Sequence, residues 1–336
     1  MNAVTAWFGG LLALLSALNP YRLQPEPVPE TPLVRLSGEA QGTTYQITYH
    51  DRQQRNFQTA IDSLLRGIDQ CLSTYRTDSE ISQFNRSNAH RFRLPYFYPV
   101  LKKSVEIYRA TDGAFDPTVK PLVDAYEQAK KSRDPVLPDV DSLLQYVGFQ
   151  YIKFDSVSVR KTRLHVRLDF NALAQGYTVD VLAVFLESQG IDRYLVEVGG
   201  EVRGRGARSE GKWWTVGIEN PLRPGGLQTT VQLANRAMAM SGNYRNFYRQ
   251  NGQVYGHIIN PKTGFSKPDA LLSATVFAPD AMTADALATA FLVMGLEKTR
   301  EFLARRRDLD AYLIYQDEQG KLAVSATDGI RAFVSK

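Results

Sequence analysis

The sequence predicts an α+β fold, because segments typical of strands and of helices follow one another in mixed order, without regular strand–helix alternation. Its 336 residues are 43% hydrophobic and 22% charged, which is enough apolar surface for a packed core. The sequence contains no phosphate-binding loop and no internal repeat. The glycine-rich run at residues 199–206, GGEVRGRG, lacks the strand–turn–helix context of a dinucleotide fingerprint. These observations disfavour a doubly wound nucleotide-binding sheet.

The periodicity of apolar residues assigns the elements in chain order. Alternation over residues 34–50 predicts a strand pair, and helical spacing predicts helices over residues 55–75 and 98–113. The later elements are predicted in this order: strand, strand and helix over 143–190, strands at 193–206 and 213–221, one strand over 229–244, a short strand at 257–259, a strand and two helices over 271–306, and a closing hairpin over 309–326.

Residues 1–19 are predicted to be a signal or anchor segment, because residues 3–18 are mostly apolar and carry no charge. This stretch is short for a membrane-spanning helix and suits a signal-peptide core. The proline-rich residues 20–35 are predicted to form a stiff, extended linker, and residues 36–336 a folded domain. We therefore expect a domain in the periplasm or on the outward face of the cytoplasmic membrane, exported or attached through residues 3–18. The alternative is a disordered tail on a cytoplasmic protein.

The charge and cysteine content restrict the partners and sites. A formal net charge of +5 suits a phosphate-bearing ligand, an anionic membrane surface or an acidic partner. The sequence has no long basic run or aromatic–basic repeat of the kind that indicates nucleic-acid binding. Cys71 is the only cysteine, which excludes an intramolecular disulfide and a cysteine-based metal cluster.

The segment TADALATAF, residues 283–291, is predicted to carry a metal site. Asp285 and Thr289 are four residues apart and therefore share one helix face, among small alanine side chains. A carboxylate and a hydroxyl are hard oxygen ligands that suit Mg²⁺. The alternative is that Asp285 caps the helix and Thr289 packs in the core.

Three further segments hold candidate ligand-binding residues. Asp169, with an asparagine two residues later, is a helix-start signal; such a start offers free N–H groups to an anion, and Gln175 lies on the first turns. Phe115, expected to be exposed, and Asp116 lie in a turn that could form a ligand wall. Tyr75 offers an aromatic platform before a capping-box-like SEIS. A capped structural helix is the alternative for the first segment, and a solvated loop for the other two.

His257 lies between a predicted strand and the turn signals of residues 260–264. A histidine in this place is either a structural residue or one directed at a ligand. The stretch by itself leaves both interpretations open.

Eight ordered blocks together resemble the ApbE family, the FAD:protein FMN transferases. The blocks are, in order, GTTY, LSTYRTDSEISQFN, TDGAFDPTVKPLV, DFNALAQGYTVD, YLVEVGGEVRGRG, SGNYRNF, YGHIINPKTG and ADALATAFLVMG. They extend over residues 36–324. The resemblance implies that the protein binds FAD and Mg²⁺, transfers the FMN half of FAD to a threonine hydroxyl of a target protein, and releases AMP.

The resemblance also implies site residues and partners. The implied metal ligands are the backbone oxygen of Ala172, the side chains of Asp285 and Thr289, and the backbone of Ala288. The implied flavin contacts are Gln41, Tyr75, Ala114, Phe115, Asp116, Asp169, Gln175, His257, Ile258 and Ile259. His257 and Asp285 are the implied catalytic residues, with a neutral His257 imidazole accepting the proton of the incoming threonine. Flavin-accepting subunits of membrane electron-transport complexes are the implied partners.

Two features depart from the family pattern. Gln175 stands where many members have lysine, so a neutral amide replaces a positive charge. No cysteine directly follows the N-terminal apolar segment, which excludes attachment through a lipidated cysteine there. Two other functions stay open at this point: an FAD pyrophosphatase that yields FMN and AMP, and a non-catalytic FAD-binding protein.

Overall fold

The computed structural model describes residues 24–25, 30–131, 138–209, 211–223, 225–243, 247–250, 253–256, 258–266 and 269–335. His257 and residues 3–18, to which several of the predictions refer, lie outside these ranges. Within the ranges, no helix is both long and apolar enough to span a bilayer.

The elements occur in mixed order, as predicted. The α-helices of the described ranges are α1 (Gln58–Leu72), α2 (Glu80–Arg86), α3 (Phe97–Ala110), α4 (Lys120–Lys131), α5 (Val140–Leu144), α6 (Ala174–Ser188), α7 (Ala281–Met294), α8 (Leu296–Ala304) and α9 (Asp328–Arg331). The strands are β1 (Leu33–Ala40), β2 (Thr43–His50), β3 (Ala89–Arg91), β4 (Ile152–Phe154), β5 (Ser158–Lys161), β6 (Tyr194–Val198), β7 (Glu201–Arg205), β8 (Trp214–Glu219), β9 (Leu227–Leu233), β10 (Ala237–Gly242), β11 (Phe247–Gln250), β12 (Gln253–Gly256), β13 (Leu271–Ala278), β14 (Asp310–Gln316) and β15 (Leu322–Ala326).

An eight-stranded antiparallel sheet forms the centre of the fold. Its spatial order is β1-β2-β6-β7-β10-β13-β14-β15. Smaller sheets pair β3-β5-β4, β8-β9 and β11-β12. This arrangement confirms the α+β prediction. The first strand begins at Leu33, slightly before the predicted domain start at Leu36.

Helices α6 and α7 position the candidate site, because they pack against each other and on the central sheet. Helix α7 lies across β10 and β13, and α6 lies across β6 and β7. The two helices approach so closely that a Cβ atom on Gly176 would be 2.3 Å from the carbonyl oxygen of Ala281. A side chain larger than hydrogen does not fit there, so glycine is needed for the contact.

The stretch 229–244, predicted as one strand, forms the end of β9 and the whole of β10, which belong to different sheets. The chain turns between them at Asn235, whose φ is 52°. Asparagine tolerates this left-handed conformation better than most residues. The pattern of apolar residues continues through this turn, so the sequence predicted one strand where the structure has two.

The solvated loop that is the alternative for the stretch around Tyr75 is present at the exposed residues 75–78, and a capped helix follows it directly. The Ser79 hydroxyl accepts a hydrogen bond from the backbone N–H of Ser82 at 3.2 Å and so caps helix α2. The buried Glu80 carboxylate accepts the backbone N–H of Leu94 at 2.8 Å. The capping signal in SEIS thus starts a real helix.

The short strand predicted at residues 257–259 is wrong for Ile258 and Ile259, which belong to no strand. Ile259 is instead buried in a small apolar cluster with Leu122. The turn begins directly afterwards, where the N–H of Gly264 donates to the Asn260 carbonyl at 2.8 Å.

Candidate active site

A cavity of about 560 Å³ opens beside the N-terminal end of α6. Its volume lies in the range of small-molecule sites. Three of the predicted flavin contacts, Gln41, Tyr75 and Gln175, line it together. Asp69 and Asn171, which the sequence did not single out as ligand contacts, also line it. The structure therefore joins residues that are up to 134 positions apart, between Gln41 and Gln175, in one cavity.

Gln41 lies in the tight turn between β1 and β2, where its φ is 55°. Its amide Nε2 donates to the Thr178 hydroxyl at 2.7 Å, and that hydroxyl donates to the Ala174 carbonyl at 2.8 Å. The amide oxygen of Gln41 is buried and has no hydrogen-bond partner in the described part of the chain. A buried acceptor without a partner is costly, so this atom is suited to a donor on a ligand.

Tyr75 and Gln175 are two side chains that line the cavity. The Tyr75 side chain is 80% exposed, so its ring is an open platform of the kind the sequence predicted. The Gln175 amide lies over the turn between β6 and β7, because its nitrogen would be 2.6 Å from a Cβ atom on Gly199. A glycine at position 199 thus makes room for the Gln175 side chain.

Asp169 is buried behind the cavity and organises the loop before α6. Its carboxylate accepts the backbone N–H of Asn171 at 2.9 Å, and its own N–H donates to the Pro117 carbonyl at 2.7 Å. Burial raises the pKa of Asp169 above its usual range, and the Lys120 ammonium 3.9 Å away opposes this shift. Asp169 therefore places Asn171 at the cavity wall, while its own side chain supports the loop.

Ala114, Phe115 and Asp116 are buried, and none of them lines the cavity. The expected exposure of Phe115 is wrong, since its ring is 3% exposed and packs in the main apolar core. Asp116 caps the short 3₁₀ helix at Pro117–Val119 by accepting the Thr118 N–H at 2.8 Å. Burial raises the pKa of Asp116 to about 6. These contacts make the run a structural support behind Asp169.

Asp285, one of the predicted metal ligands, lies at the contact between α6 and α7. The Asp285 atom Oδ2 accepts the backbone N–H of Gly176 at 3.0 Å. Gly176 is the third residue of α6, where a backbone N–H has no partner within the helix, and Asp285 supplies that partner. No residue of the described ranges donates to the Ala172 carbonyl or to Asp285 Oδ1. Two of the predicted ligand oxygens are thereby left without a protein donor.

Burial and charge around Asp285 also fit a cation. Burial raises the pKa of Asp285 to about 7, and the negative Asp180 adds to this shift, whereas the Gly176 hydrogen bond opposes it. A bound divalent cation would favour the ionised carboxylate. The described residues contain no group of three or more His, Cys, Asp or Glu side chains placed to hold a metal. The site would therefore combine one carboxylate with carbonyl and hydroxyl oxygens, which are ligands that Mg²⁺ accepts.

The capping alternative for Asp285 is excluded. The N-cap residue of α7 is Asp280, whose carboxylate accepts the Thr283 N–H at 2.7 Å. Asp180, which sequence reasoning missed, supports the same helix end from α6. Its two carboxylate oxygens accept the N–H groups of Ala281 at 3.0 Å and Met282 at 2.9 Å. The position of α7, and hence of Asp285, is thus fixed from both helices.

Thr289 lies one turn beyond Asp285, and its hydroxyl is 3.1 Å from the Ser241 hydroxyl on β10. Sequence reasoning gave Ser241 no role, although the residue lies in the SGNYRNF block. Ala288 lies inside α7 and is fully buried. Its carbonyl belongs to the helical hydrogen-bond ladder, which leaves one lone pair for any further contact.

The fold and the site together define an α+β protein with a ligand cavity at the N-terminal end of α6. The ApbE family model matches residues 41–313, and the chain belongs to the ApbE family. The chain is 33% identical over 335 residues to the FAD:protein FMN transferase of Haemophilus influenzae, covering 95% of each chain. It is 34% identical over 316 residues to the FAD:protein FMN transferase of Vibrio cholerae, covering 90% of this chain and 93% of the relative.

Solved structures agree with these relatives. The flavin transferase ApbE from Vibrio cholerae superposes with a TM-score of 0.80 at 33% identity, covering 90% of this chain and 100% of that one. The apo form of the Pseudomonas stutzeri flavinyl transferase ApbE superposes with a TM-score of 0.79 at 28% identity, covering 90% and 96%. The fold is therefore shared along nearly the whole of the described chain.

Proposed function

We propose that the protein is an FAD:protein FMN transferase, which moves the FMN half of FAD onto a threonine hydroxyl of a target protein and releases AMP. The observation that carries the proposal is the 33% identity, over 95% of both chains, to a relative with that activity in its name. The cavity lined by Gln41, Tyr75 and Gln175 also supports the proposal, because it brings three of the predicted flavin contacts together.

The proposed reaction forms one bond and breaks one. The threonine oxygen bonds to the phosphorus of the FMN half, and the bond from that phosphorus to the bridging pyrophosphate oxygen breaks. AMP leaves with the bridging oxygen, and the threonine proton goes to a base, a role that we assign to His257 by family resemblance. Positioning and charge neutralisation dominate such reactions.

The residues of this chain would have separate roles in binding FAD and the metal. The Gln41 amide oxygen and the Gln175 amide would hydrogen-bond the ligand, and Tyr75 would stack on one of its ring systems. Asp285 and Thr289, with the Ala172 carbonyl, would hold Mg²⁺. When bound, this cation supplies charge neutralisation at the pyrophosphate.

We further propose that the enzyme works outside the cytoplasmic membrane on flavin-carrying subunits of membrane electron-transport complexes. The uncharged stretch at residues 3–18 and the proline-rich residues 20–35 support export or attachment. Protease treatment of intact spheroplasts tests this location. Degradation of the full-length protein in intact spheroplasts is expected, and protection until the membrane is lysed would contradict it.

One incubation tests the activity. Wild-type protein is mixed with FAD, Mg²⁺ and an acceptor domain, and the acceptor is then separated under denaturing conditions. Flavin fluorescence on the denatured acceptor band is expected, and it should disappear with EDTA. Free FMN and AMP without a labelled acceptor would indicate a pyrophosphatase instead, and intact FAD would indicate a binding protein without catalysis.

A further inference from the structure

A second cavity, of about 550 Å³, shares no lining residue with the candidate active site. It lies between the end of α2, helix α5 and the loop that follows β5. None of the predicted flavin or metal residues lines it. The second cavity is therefore a separate feature that the proposed transfer reaction does not use.

The lining of the second cavity is cationic. Arg86, Lys161, Arg167 and His165 contribute to it, and no Asp or Glu side chain does. Arg167 is neutralised by Asp124, with its Nη1 atom 2.6 Å from a carboxylate oxygen. Arginine has five N–H donors, so this ion pair leaves others available to a ligand.

Lys161 has no anionic partner among the described residues, and neither has Arg86, which donates to the Thr77 carbonyl. No carboxylate of the described residues lies within 4.0 Å of the Lys161 ammonium group. The ammonium donates to the Asn85 carbonyl at 3.0 Å and lies 5.1 Å from the centre of the Phe84 ring. Burial, and then the neighbouring Arg167 guanidinium, lowers the pKa of Lys161 to about 8. A half-buried positive charge of this kind is stabilised by a bound anion.

The volume and the aromatic wall of the second cavity indicate that the bound anion has an organic group attached to its phosphate. A phosphate group alone would fill only a small part of about 550 Å³. Tyr146 and the 59% exposed Leu164 line the same space. The His165 ring lies 5.3 Å from the Tyr146 ring at 73°, and the Arg163 guanidinium lies 5.8 Å from it, so the aromatic wall is held in place. A planar organic group would pack against this wall.

We infer that the second cavity binds a phosphate monoester, with the phosphate on Lys161 and Arg167 and a planar organic group against Tyr146. A dianionic phosphate accepts charge-assisted hydrogen bonds from several directions, which suits cations placed around one space. The same chemistry is available in a nucleoside monophosphate and in FMN, so the test includes both.

Titration calorimetry with inorganic phosphate, AMP and FMN tests the inference. The titrations use full-length protein in a Tyr75→Ala background, which weakens flavin binding at the first site. AMP or FMN should bind more tightly than inorganic phosphate, and Lys161→Met should weaken binding by roughly ten-fold or more. The matched control is Lys153→Met, an exposed lysine on the adjoining strand β4, which should change nothing.

A site-specific readout keeps the test independent of the variant's folding. In wild-type protein, the ¹³C resonance of the Lys161 Cε atom should shift on adding AMP, and its titration midpoint should rise. If Lys161→Met does not fold, Arg167→Gln, which removes the other phosphate-binding cation, replaces it as the weakening variant. Unchanged Lys161 resonances, or binding that the folded variant leaves intact, would overturn the site. Equal affinities for phosphate, AMP and FMN would overturn the role of Tyr146.

Discussion

The substitution Gly176→Ala tests whether the contact between α6 and α7 holds Asp285, the proposed metal-binding carboxylate, in place. The added Cβ atom would be 2.3 Å from the Ala281 carbonyl oxygen and 2.8 Å from Asp285 Cβ. Ordinary van der Waals contact begins at about 3.4 Å, so the helices must separate by about 1 Å. Neither neighbour can rotate away, because one is backbone and the other is the first atom of a side chain.

The expected change in the free energy of unfolding is the sum of two destabilising contributions and one stabilising contribution. Overpacking a tight contact costs ~1–3 kcal/mol. The better helix propensity of alanine offsets ~1 kcal/mol of this. Stretching the Gly176 hydrogen bond to a carboxylate adds ~1.5 kcal/mol. Together these contributions predict a loss of ~2.5 kcal/mol in the free energy of unfolding. Because Mg²⁺ tolerates little displacement of its ligands, its affinity should also fall by ~ten-fold or more.

Urea unfolding and Mg²⁺ titration calorimetry measure the two effects. Gly67→Ala is the matched control, because its Cβ would be 3.1 Å from the Tyr96 ring edge, a side chain that can move. This control should be close to neutral in stability and should leave Mg²⁺ affinity unchanged. If the Gly176→Ala protein is as stable as wild type and has the same Mg²⁺ affinity, the contact between α6 and α7 does not hold Asp285 in place.

Three further predictions use the same site. Burial raises the pKa of Asp285 to about 7, above its ordinary value of 3.8, so the native state retains a proton that the unfolded chain loses. Metal-free wild-type protein should therefore lose stability as the pH rises from about 4 to about 7. The variant Asp285→Asn should not show this loss and should be ~2–4 kcal/mol more stable than wild type at about pH 8 in EDTA. Stability profiles of the same shape for both proteins across this pH range would contradict the prediction. Fluorescence titration should show that Tyr75→Ala weakens FAD binding ~ten-fold, whereas Tyr75→Phe, which keeps the ring, should bind FAD about as tightly as wild type. An equal loss of affinity in both variants would exclude stacking of the ring on FAD. Gln175→Lys should tighten FAD binding ~five-fold at low salt and less at high salt, whereas unchanged affinity at both salts would mean that residue 175 does not face the ligand.

Features set by neighbouring residues along the chain were predictable from the sequence. The four-residue spacing of Asp285 and Thr289 places both on one face of a helix whatever the rest of the fold does. The helix at residues 58–72 and the closing hairpin likewise follow from local periodicity. Where one backbone angle interrupts the pattern, as at Asn235, periodicity failed and two strands were predicted as one.

Features set by contacts between distant segments were not predictable. The Gly176 N–H donates to Asp285, which is 109 residues away in sequence. Ser241 reaches Thr289 only because β10 lies beneath α7. The burial of Phe115 depends on the core around it, whereas the local sequence indicated a turn, and turns are usually exposed.

The intact mass of an acceptor domain after incubation with FAD and Mg²⁺ tests the proposed transfer most directly. The acceptor should gain the mass of one FMN less one water, on one threonine, with one AMP released per acceptor. The gain should be absent when that threonine is replaced by valine, which lacks the attacking hydroxyl. It should also be absent with Asp285→Asn enzyme, which lacks the proposed metal-binding carboxylate. An acceptor of unchanged mass, while FAD is split into free FMN and AMP by the wild-type enzyme, would contradict the proposed transfer.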